Sequence, residues 1–133
     1  MKIDIGILGM GYVGLPLAIA MAEKYKVIGF DVDKNRISSL KIGIDKKKDV
    51  TSKQIKKTDL TYSNKPESLK NCNIYIVTVP TPIKNNKLPD FTFLKNASKI
   101  ISKYLKIGDI VIYESTVYPG ATEEICVPIL EIS

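Results

Sequence analysis

The sequence contains no histidine, and its two cysteines, Cys72 and Cys126, lie far apart and form no CxxC pair. Zinc sites are built mainly from cysteine and histidine side chains at close spacing, which this chain cannot supply. A histidine general base is excluded for the same reason. The chemistry of this chain must therefore depend on something other than a zinc centre or an imidazole.

Long apolar runs are also missing. The longest clean apolar segment, residues 13–22, is too short to span a bilayer. Lys2 and the small residues that end at Ala22 give the N-terminus some likeness to a secretory signal peptide, but Asp4 interrupts the apolar stretch. We therefore reject a signal peptide and expect a cytoplasmic protein that does not bind membranes.

Charge is unbalanced, with 20 basic and 14 acidic side chains in 133 residues, and six lysines gather between residues 46 and 57. Such a cluster can indicate a nucleic-acid site. Here no aromatic residues are interleaved with the lysines, and the stretch lies between apolar elements, so we favour a solvated face and expect no nucleic-acid partner. With 44% apolar residues the chain can bury its own core, and we expect residues 1–133 to form one domain.

Apolar runs and helical patterns alternate along the chain, which is typical of βαβ units. The pattern predicts an α/β fold, Rossmann-like and doubly wound, with a mostly parallel sheet of about five strands in the order 3-2-1-4-5. Strands are predicted at 3–8, 27–30, 60–62, 74–79 and 109–113. Helices are predicted at 12–24, 34–40, 51–56 and 91–105, with a helical turn at 67–69 and a last helix that begins after Gly120 and is kinked or ended by Pro128.

The glycine pattern GMGYVG follows the first predicted strand directly. It places Gly9, Gly11 and Gly14 at GxGxxG spacing, and Asp31 follows twenty-two positions after the first glycine, at the end of the second strand. In dinucleotide-binding folds, the first glycine permits a tight turn, the second lets the pyrophosphate approach the backbone, and the third lets the helix pack against the strand. The helix N-terminus then binds the phosphates through its free N–H groups.

Asp31 decides which dinucleotide the pattern predicts. A carboxylate there would accept hydrogen bonds from the adenosine ribose and repel a 2′-phosphate, so we expect NAD and not NADP. Lys34 and Arg36 follow closely, and such cations could tolerate a phosphate. The alternative interpretation is that Asp31 or Asp33 only caps the helix that begins near Lys34.

Two further segments should reach the carboxyl edge of the sheet, where ligands bind in such folds. In residues 78–82, TVPTP, Thr81 would lie near the nicotinamide ribose; alternatively, the prolines only stop a strand and Thr81 faces solvent. In residues 113–120, YESTVYPG, Ser115 and Thr116 are candidate site residues. They could instead only satisfy backbone groups at the strand end.

Four segments together carry a family resemblance: GMGYVGLPLA, residues 31–36, VTVPTPI with the later Pro89 and Asp90, and GDIVIYESTVYPGATEEICVPILE. The chain resembles the N-terminal NAD-binding domain of the nucleotide-sugar 6-dehydrogenases, which oxidise UDP-glucose or UDP-N-acetylhexosamines to uronic acids. The forms VPTP and ESTVYPGATEE are most similar to members that act on UDP-N-acetylglucosamine or its epimers.

The resemblance implies a role for each matching residue. Gly11, Tyr12 and Val13 would contact the pyrophosphate, Arg36 would lie near the adenosine, and Thr116 would lie beside the substrate C6 and help to place a water. In the family, two NAD molecules accept two hydrides in turn, and the intermediates are a thiohemiacetal and a thioester on a cysteine. The cofactor-binding set that the resemblance implies is Gly9, Gly11, Tyr12, Val13, Gly14, Asp31, Arg36, Pro80, Thr81, Ser115 and Thr116.

The chain departs from the family pattern in one respect: it lacks the glycine-rich, GGxCxPKD-like segment that carries the nucleophilic cysteine. Cys72 precedes a strand and Cys126 lies in an apolar helix, where it is best interpreted as core. We therefore expect a truncated fragment, inactive alone, of a homodimeric enzyme that uses a UDP-sugar to supply surface polysaccharide. The alternatives are a UDP-glucose enzyme, a non-catalytic NAD-binding module, and a hydroxyacid or phosphogluconate type dehydrogenase, which the ESTVYPG segment does not resemble.

Overall fold

A computed structural model of the chain describes residues 2–48, 50–57, 59–114 and 126–131. Ser115 and Thr116, which the sequence assigns to the site, lie outside the described residues. The predicted start of the last helix after Gly120 lies outside them as well.

Strands and helices alternate as the sequence pattern predicts. The strands are β1 (Asp4–Leu8), β2 (Lys26–Phe30), β3 (Leu60–Ser63), β4 (Ile74–Val77) and β5 (Ile110–Tyr113). The helices are α1 (Gly14–Met21), α2 (Lys34–Lys41), α3 (Ser52–Ile55), α4 (Thr92–Ser102) and α5 (Val127–Glu131), with a 3-10 turn at Pro66–Leu69.

The five strands form one sheet in the order β3-β2-β1-β4-β5, and every pair is parallel. The predicted order and the Rossmann-like fold are confirmed. Buried parallel strands read as continuous apolar runs because helices cover both faces, and β1 and β4 follow that rule. After β3 the chain crosses β1 to form β4, so the strand order reverses between β1 and β4. Ligands of doubly wound folds bind at this point, at the carboxyl ends of the strands.

Two apolar clusters fill the space on either side of the sheet. The first contains Ile5 and Ile7 of β1, with residues from α1, α2, α3 and β3. The second lies under α4, which buries Leu94, Ala97, Ser98 and Ile101. Cys126 is fully buried in this second cluster, as predicted for a core residue. With 11 residues, α4 is the longest described helix. No helix among the described residues has the length and apolar character of a membrane span.

Several element ends differ from the sequence prediction. The helix predicted from residue 12 begins at Gly14, because Tyr12 and Val13 form a turn. The strand predicted to reach residue 79 ends at Val77, and the next side chain, Thr78, bends back to hydrogen-bond the Gly9 carbonyl at 2.7 Å. Helix α5 continues through Pro128 to Glu131, so the proline does not end it.

We predict that Leu94→Ala lowers the free energy of unfolding by about 2–5 kcal/mol, because the Leu94 side chain is fully buried and the site would retain a cavity. Urea denaturation of the chain measures this. Lys95→Ala, on the exposed face of the same helix, is the matched control and should change stability by less than about 0.5 kcal/mol. Equal midpoints for the two variants would contradict the assignment of Leu94 to the core.

Candidate functional site

A cavity of about 550 Å³ opens at the carboxyl ends of β1, β2 and β4, where the strand order reverses. Its walls come from the turn after β1, the segments that follow β2 and β4, and one side of α4. Most of the predicted site residues meet there. The lining includes Gly9, Gly11, Tyr12, Val13, Asp31, Arg36, Pro80 and Thr81.

At two positions of the turn, packing within the protein leaves no space for a side chain and so requires glycine. Gly9 has a φ of +108°, and a Cβ there would lie 3.0 Å from backbone atoms of Thr78 and Val79. A Cβ on Gly14 would overlap the Gly9 carbonyl oxygen and lie 2.5 Å from the Thr78 hydroxyl oxygen. Both positions therefore need glycine so that β1, α1 and β4 can pack together. Gly14 lies behind the cavity and not on its wall.

Gly11 differs from the other two glycines. The nearest heavy atom to a Cβ at Gly11 would be the Lys47 Nζ, at 3.8 Å, which is ordinary contact. The protein leaves room for a side chain here, so the bare backbone of Gly11 is available to a closely approaching ligand. The fold alone does not explain this glycine, and a bound pyrophosphate would.

The turn also offers hydrogen-bond donors to an anion. In the described part of the chain, the backbone N–H groups of Gly11, Tyr12 and Val13 have no protein acceptor. They immediately precede α1, whose N-terminus carries the positive end of the helix dipole. Free N–H groups at a helix N-terminus suit a phosphate without a cationic side chain.

Asp31 stands at the end of β2 and holds the turn in place. One carboxylate oxygen accepts from the Met10 N–H at 2.8 Å, and the other accepts from the Asp33 N–H at 3.0 Å. A carboxylate has about four lone-pair positions, so acceptor capacity remains on the cavity side. Helix α2 is capped by Asp33, which accepts from Asn35 and Arg36. The capping interpretation is therefore correct for Asp33 and wrong for Asp31.

Arg36 lies on the cavity wall, and its hydrogen bonds go to the protein. Its Nε donates to the Met10 carbonyl at 2.8 Å, and one terminal nitrogen forms an ion pair of 2.6 Å with Asp45. The Asp45 side chain is completely buried and also accepts from the N–H groups of Lys47 and Val50. Arg36 thus connects the glycine turn to α2 and to the loop after it.

The segment after β4 forms the opposite wall. Thr78 is buried against the glycine turn, and Val79, Pro80 and Thr81 line the cavity. Thr81 is half-buried and lines the cavity, as expected of a site residue that contacts a ligand there. Glu114, directly after β5, also reaches this wall.

Sequence reasoning missed Lys47, which it assigned with its neighbours to a solvated face. The Lys47 ammonium lies 4.7 Å from the centre of the Tyr12 ring, a cation–π distance, and lines the cavity. It also missed the roles of Asp45 and Thr78. Both are short polar residues that sequence patterns assign to turns and strand ends, and only their burial reveals what they hold in place.

Neither cysteine lines the cavity. Cys72 is buried, and burial raises the pKa of its thiol to about 11. A thiol in that state is protonated near neutral pH and is a poor nucleophile. This agrees with the expectation that neither cysteine takes the nucleophilic role.

Comparison with known proteins matches residues 3–133 to the NAD-binding domain of the UDP-glucose/GDP-mannose dehydrogenase family. The chain is 52% identical over 130 residues to a UDP-N-acetyl-D-glucosamine 6-dehydrogenase of Pseudomonas aeruginosa, an alignment that covers 97% of this chain and 31% of that protein. It is 47% identical over 131 residues to Protein CapL of Staphylococcus aureus, covering 98% of this chain and 31% of CapL.

Solved structures agree in fold. A UDP-D-ManNAc dehydrogenase from Pyrococcus horikoshii superposes with a TM-score of 0.89 at 31% identity, over 98% of this chain and 32% of that one. The chain thus spans just under a third of the length of these relatives. The glycine turn, the acid at the end of β2 and the parallel sheet are the parts expected of such a domain. The chain belongs to the UDP-glucose/GDP-mannose dehydrogenase family, of which it is an NAD-binding domain.

Proposed function

We propose that this chain forms the cofactor-binding part of an enzyme that oxidises the C6 alcohol of a UDP-N-acetylhexosamine to the uronic acid in two NAD-dependent steps. One observation carries the proposal: a single cavity brings together the open Gly11 turn, the Asp31 carboxylate and Thr81. The substrate class is supported by high identity to relatives named UDP-N-acetyl-D-glucosamine 6-dehydrogenase.

In this proposal the residues that line the cavity would hold NAD along its length. The N–H groups of Gly11, Tyr12 and Val13 would hold the pyrophosphate, and Asp31 would accept from the adenosine ribose. Pro80 and Thr81 would lie along the nicotinamide half. Bound NAD would supply the acceptor for the hydride that leaves the C6 carbon of the substrate. We include Ser115 and Thr116 at the reacting end of the site, with Thr116 placing a water, as the family resemblance implies.

The choice of NAD over NADP depends on charge at Asp31. Its two oxygens are fixed by the N–H groups of Met10 and Asp33, so the carboxylate cannot turn away from an incoming 2′-phosphate. The cation beside it, Arg36, is paired with Asp45 and is poorly available to neutralise that phosphate. The adenosine end should therefore accept a ribose with free hydroxyls.

We assign the cysteine nucleophile of the second oxidation to a part of the enzyme outside residues 1–133, because Cys72 and Cys126 are both buried. The UDP-sugar would likewise bind mostly outside this chain. We further propose that the enzyme is a cytoplasmic homodimer that supplies a precursor of surface polysaccharide, as the family resemblance implies.

Cofactor selectivity is tested by a thermal-shift titration with NAD and with NADP. We expect NAD at a hundred times its dissociation constant to stabilise the chain by about 2.7 kcal/mol, and NADP to give a much smaller shift. Asp31→Ala should remove the shift that NAD induces. The variant should also melt lower without ligand, because two N–H groups lose their acceptor, so the ligand-induced shift is the quantity to compare.

Asp33→Asn is the matched control for Asp31→Ala. It removes a negative charge two residues away and keeps an oxygen that can cap α2. It should respond to NAD like the unmodified chain. An unchanged NAD shift in Asp31→Ala would contradict the ribose contact.

The glycine turn offers a second test, because its glycines are needed for different reasons. Gly14→Ala should lower the free energy of unfolding by about 3 kcal/mol, since its methyl group overlaps the Gly9 carbonyl. Gly11→Ala should change stability by less than about 1 kcal/mol and weaken NAD binding by about tenfold or more. Urea denaturation and isothermal titration calorimetry measure the two effects. Full NAD affinity in Gly11→Ala would show that the pyrophosphate does not approach this backbone.

The substrate is tested on the protein that carries this domain, by following NADH formation. We expect two NADH per molecule of UDP-N-acetylglucosamine, or of an epimer of it, and a lower rate with UDP-glucose. A higher rate with UDP-glucose would identify the enzyme as a UDP-glucose 6-dehydrogenase. Absence of NADH with every UDP-sugar, combined with normal NAD binding, would indicate a non-catalytic NAD-binding module.

A further inference from the structure

Lys47 lies beside the part of the glycine turn that is open to a ligand. Its ammonium nitrogen is 3.8 Å from the position that a Cβ would take on Gly11, and 4.7 Å from the centre of the Tyr12 ring. The N–H groups of Gly11 and Tyr12, like that of Val13, have no acceptor among the described residues. The cation therefore lies next to the position where we place the pyrophosphate of NAD.

The charges around the cavity single out this lysine. Three carboxylates line the wall, those of Asp31, Asp33 and Glu114, against two cations, Arg36 and Lys47. Arg36 is engaged by the buried Asp45. Lys47 forms no ion pair with any described residue. A pyrophosphate brings two negative charges into a site that is already acidic, and Lys47 is the described lining cation that is free to offset them.

The loop that carries Lys47 is held by a buried anchor. The Asp45 carboxylate, fully buried, accepts from the Lys47 N–H at 3.0 Å and from the Val50 N–H at 3.2 Å. The next residue, Lys48, has a left-handed φ of 58°, and its N–H donates to the Asp45 carbonyl at 2.9 Å, which closes a turn over residues 45–48. Through Arg36, the same carboxylate is linked to the Met10 carbonyl in the glycine turn. One network thus fixes the lysine backbone relative to the turn.

We propose that Lys47 is a further cofactor-binding residue, whose ammonium group leaves the face of the Tyr12 ring and contacts the pyrophosphate of NAD bound at the glycine turn. This inference rests on the proposed function, because it requires the dinucleotide in this cavity. Tyr12 is 70% exposed, so its cation–π contact with Lys47 is of the weak, solvated kind and is readily exchanged for a charge-assisted hydrogen bond.

The test compares Lys47→Gln with Lys46→Gln, which removes the same charge from the adjacent exposed residue. Calorimetry measures the affinities of both variants for NAD, ADP and adenosine, which separates the contribution of the diphosphate from that of the nucleoside. We expect Lys47→Gln to weaken NAD and ADP by about tenfold and to leave adenosine unchanged. Lys46→Gln should bind all three like the unmodified chain, and Lys47→Arg should retain most of the affinity.

Each other outcome overturns the inference in a recognisable way. Equal NAD affinity in Lys47→Gln shows that the ammonium does not contact the cofactor. An equal loss for adenosine and NAD shows a structural effect, and an equal loss in both glutamine variants shows a general effect of net charge. If the unmodified chain binds no NAD, the proposed function fails first, and this inference fails with it.

Discussion

The structure depends on one close contact, between the backbone of Gly9 and the start of α1 at Gly14. A Cβ on Gly14 would overlap the Gly9 carbonyl, and that carbonyl accepts the hydroxyl of Thr78 at 2.7 Å. Strand β1, helix α1 and the residue after strand β4 therefore meet at a point with no space for a side chain on Gly14. This packing brings the first N–H groups of α1 to the carboxyl edge of the sheet, where they can bind an anion.

A second constraint is the burial of Asp45. A buried carboxylate must be paired and hydrogen-bonded, and Asp45 is satisfied by Arg36 and by N–H groups of its own loop. Arg36 in turn donates to the carbonyl of Met10, and Asp31 accepts from the N–H of the same residue. The loop after β1, the end of β2 and the loop after α2 are thereby joined into one wall of the cavity.

Much of this arrangement could be predicted because its signals are local. The apolar runs give the five strands, and the right-handed crossover rule then gives their order. Glycine spacing predicts the turn after β1, and the acid after β2 is the residue that pairs with it. Asp33 stands directly before a helical pattern, which is typical of an N-cap. The ends of elements were predicted less well. The side chain of Thr78 turns to carbonyls of a strand seventy residues away, and no local pattern contains that information.

The sequence by itself determined the α/β class, the strand order, the glycine turn and the acidic residue that follows β2, because each depends on patterns that are local in the chain. Tertiary structure alone decided which of three consecutive lysines faces the cavity. It also decided that Arg36 donates its hydrogen bonds to Asp45 and Met10. It also supplied the steric reason for the glycines, because a Cβ would meet backbone at Gly9 and Gly14 but would have room at Gly11. The physical reason is that burial, charge pairing and steric contact are properties of neighbours in space, and the chain brings those neighbours together only when it folds.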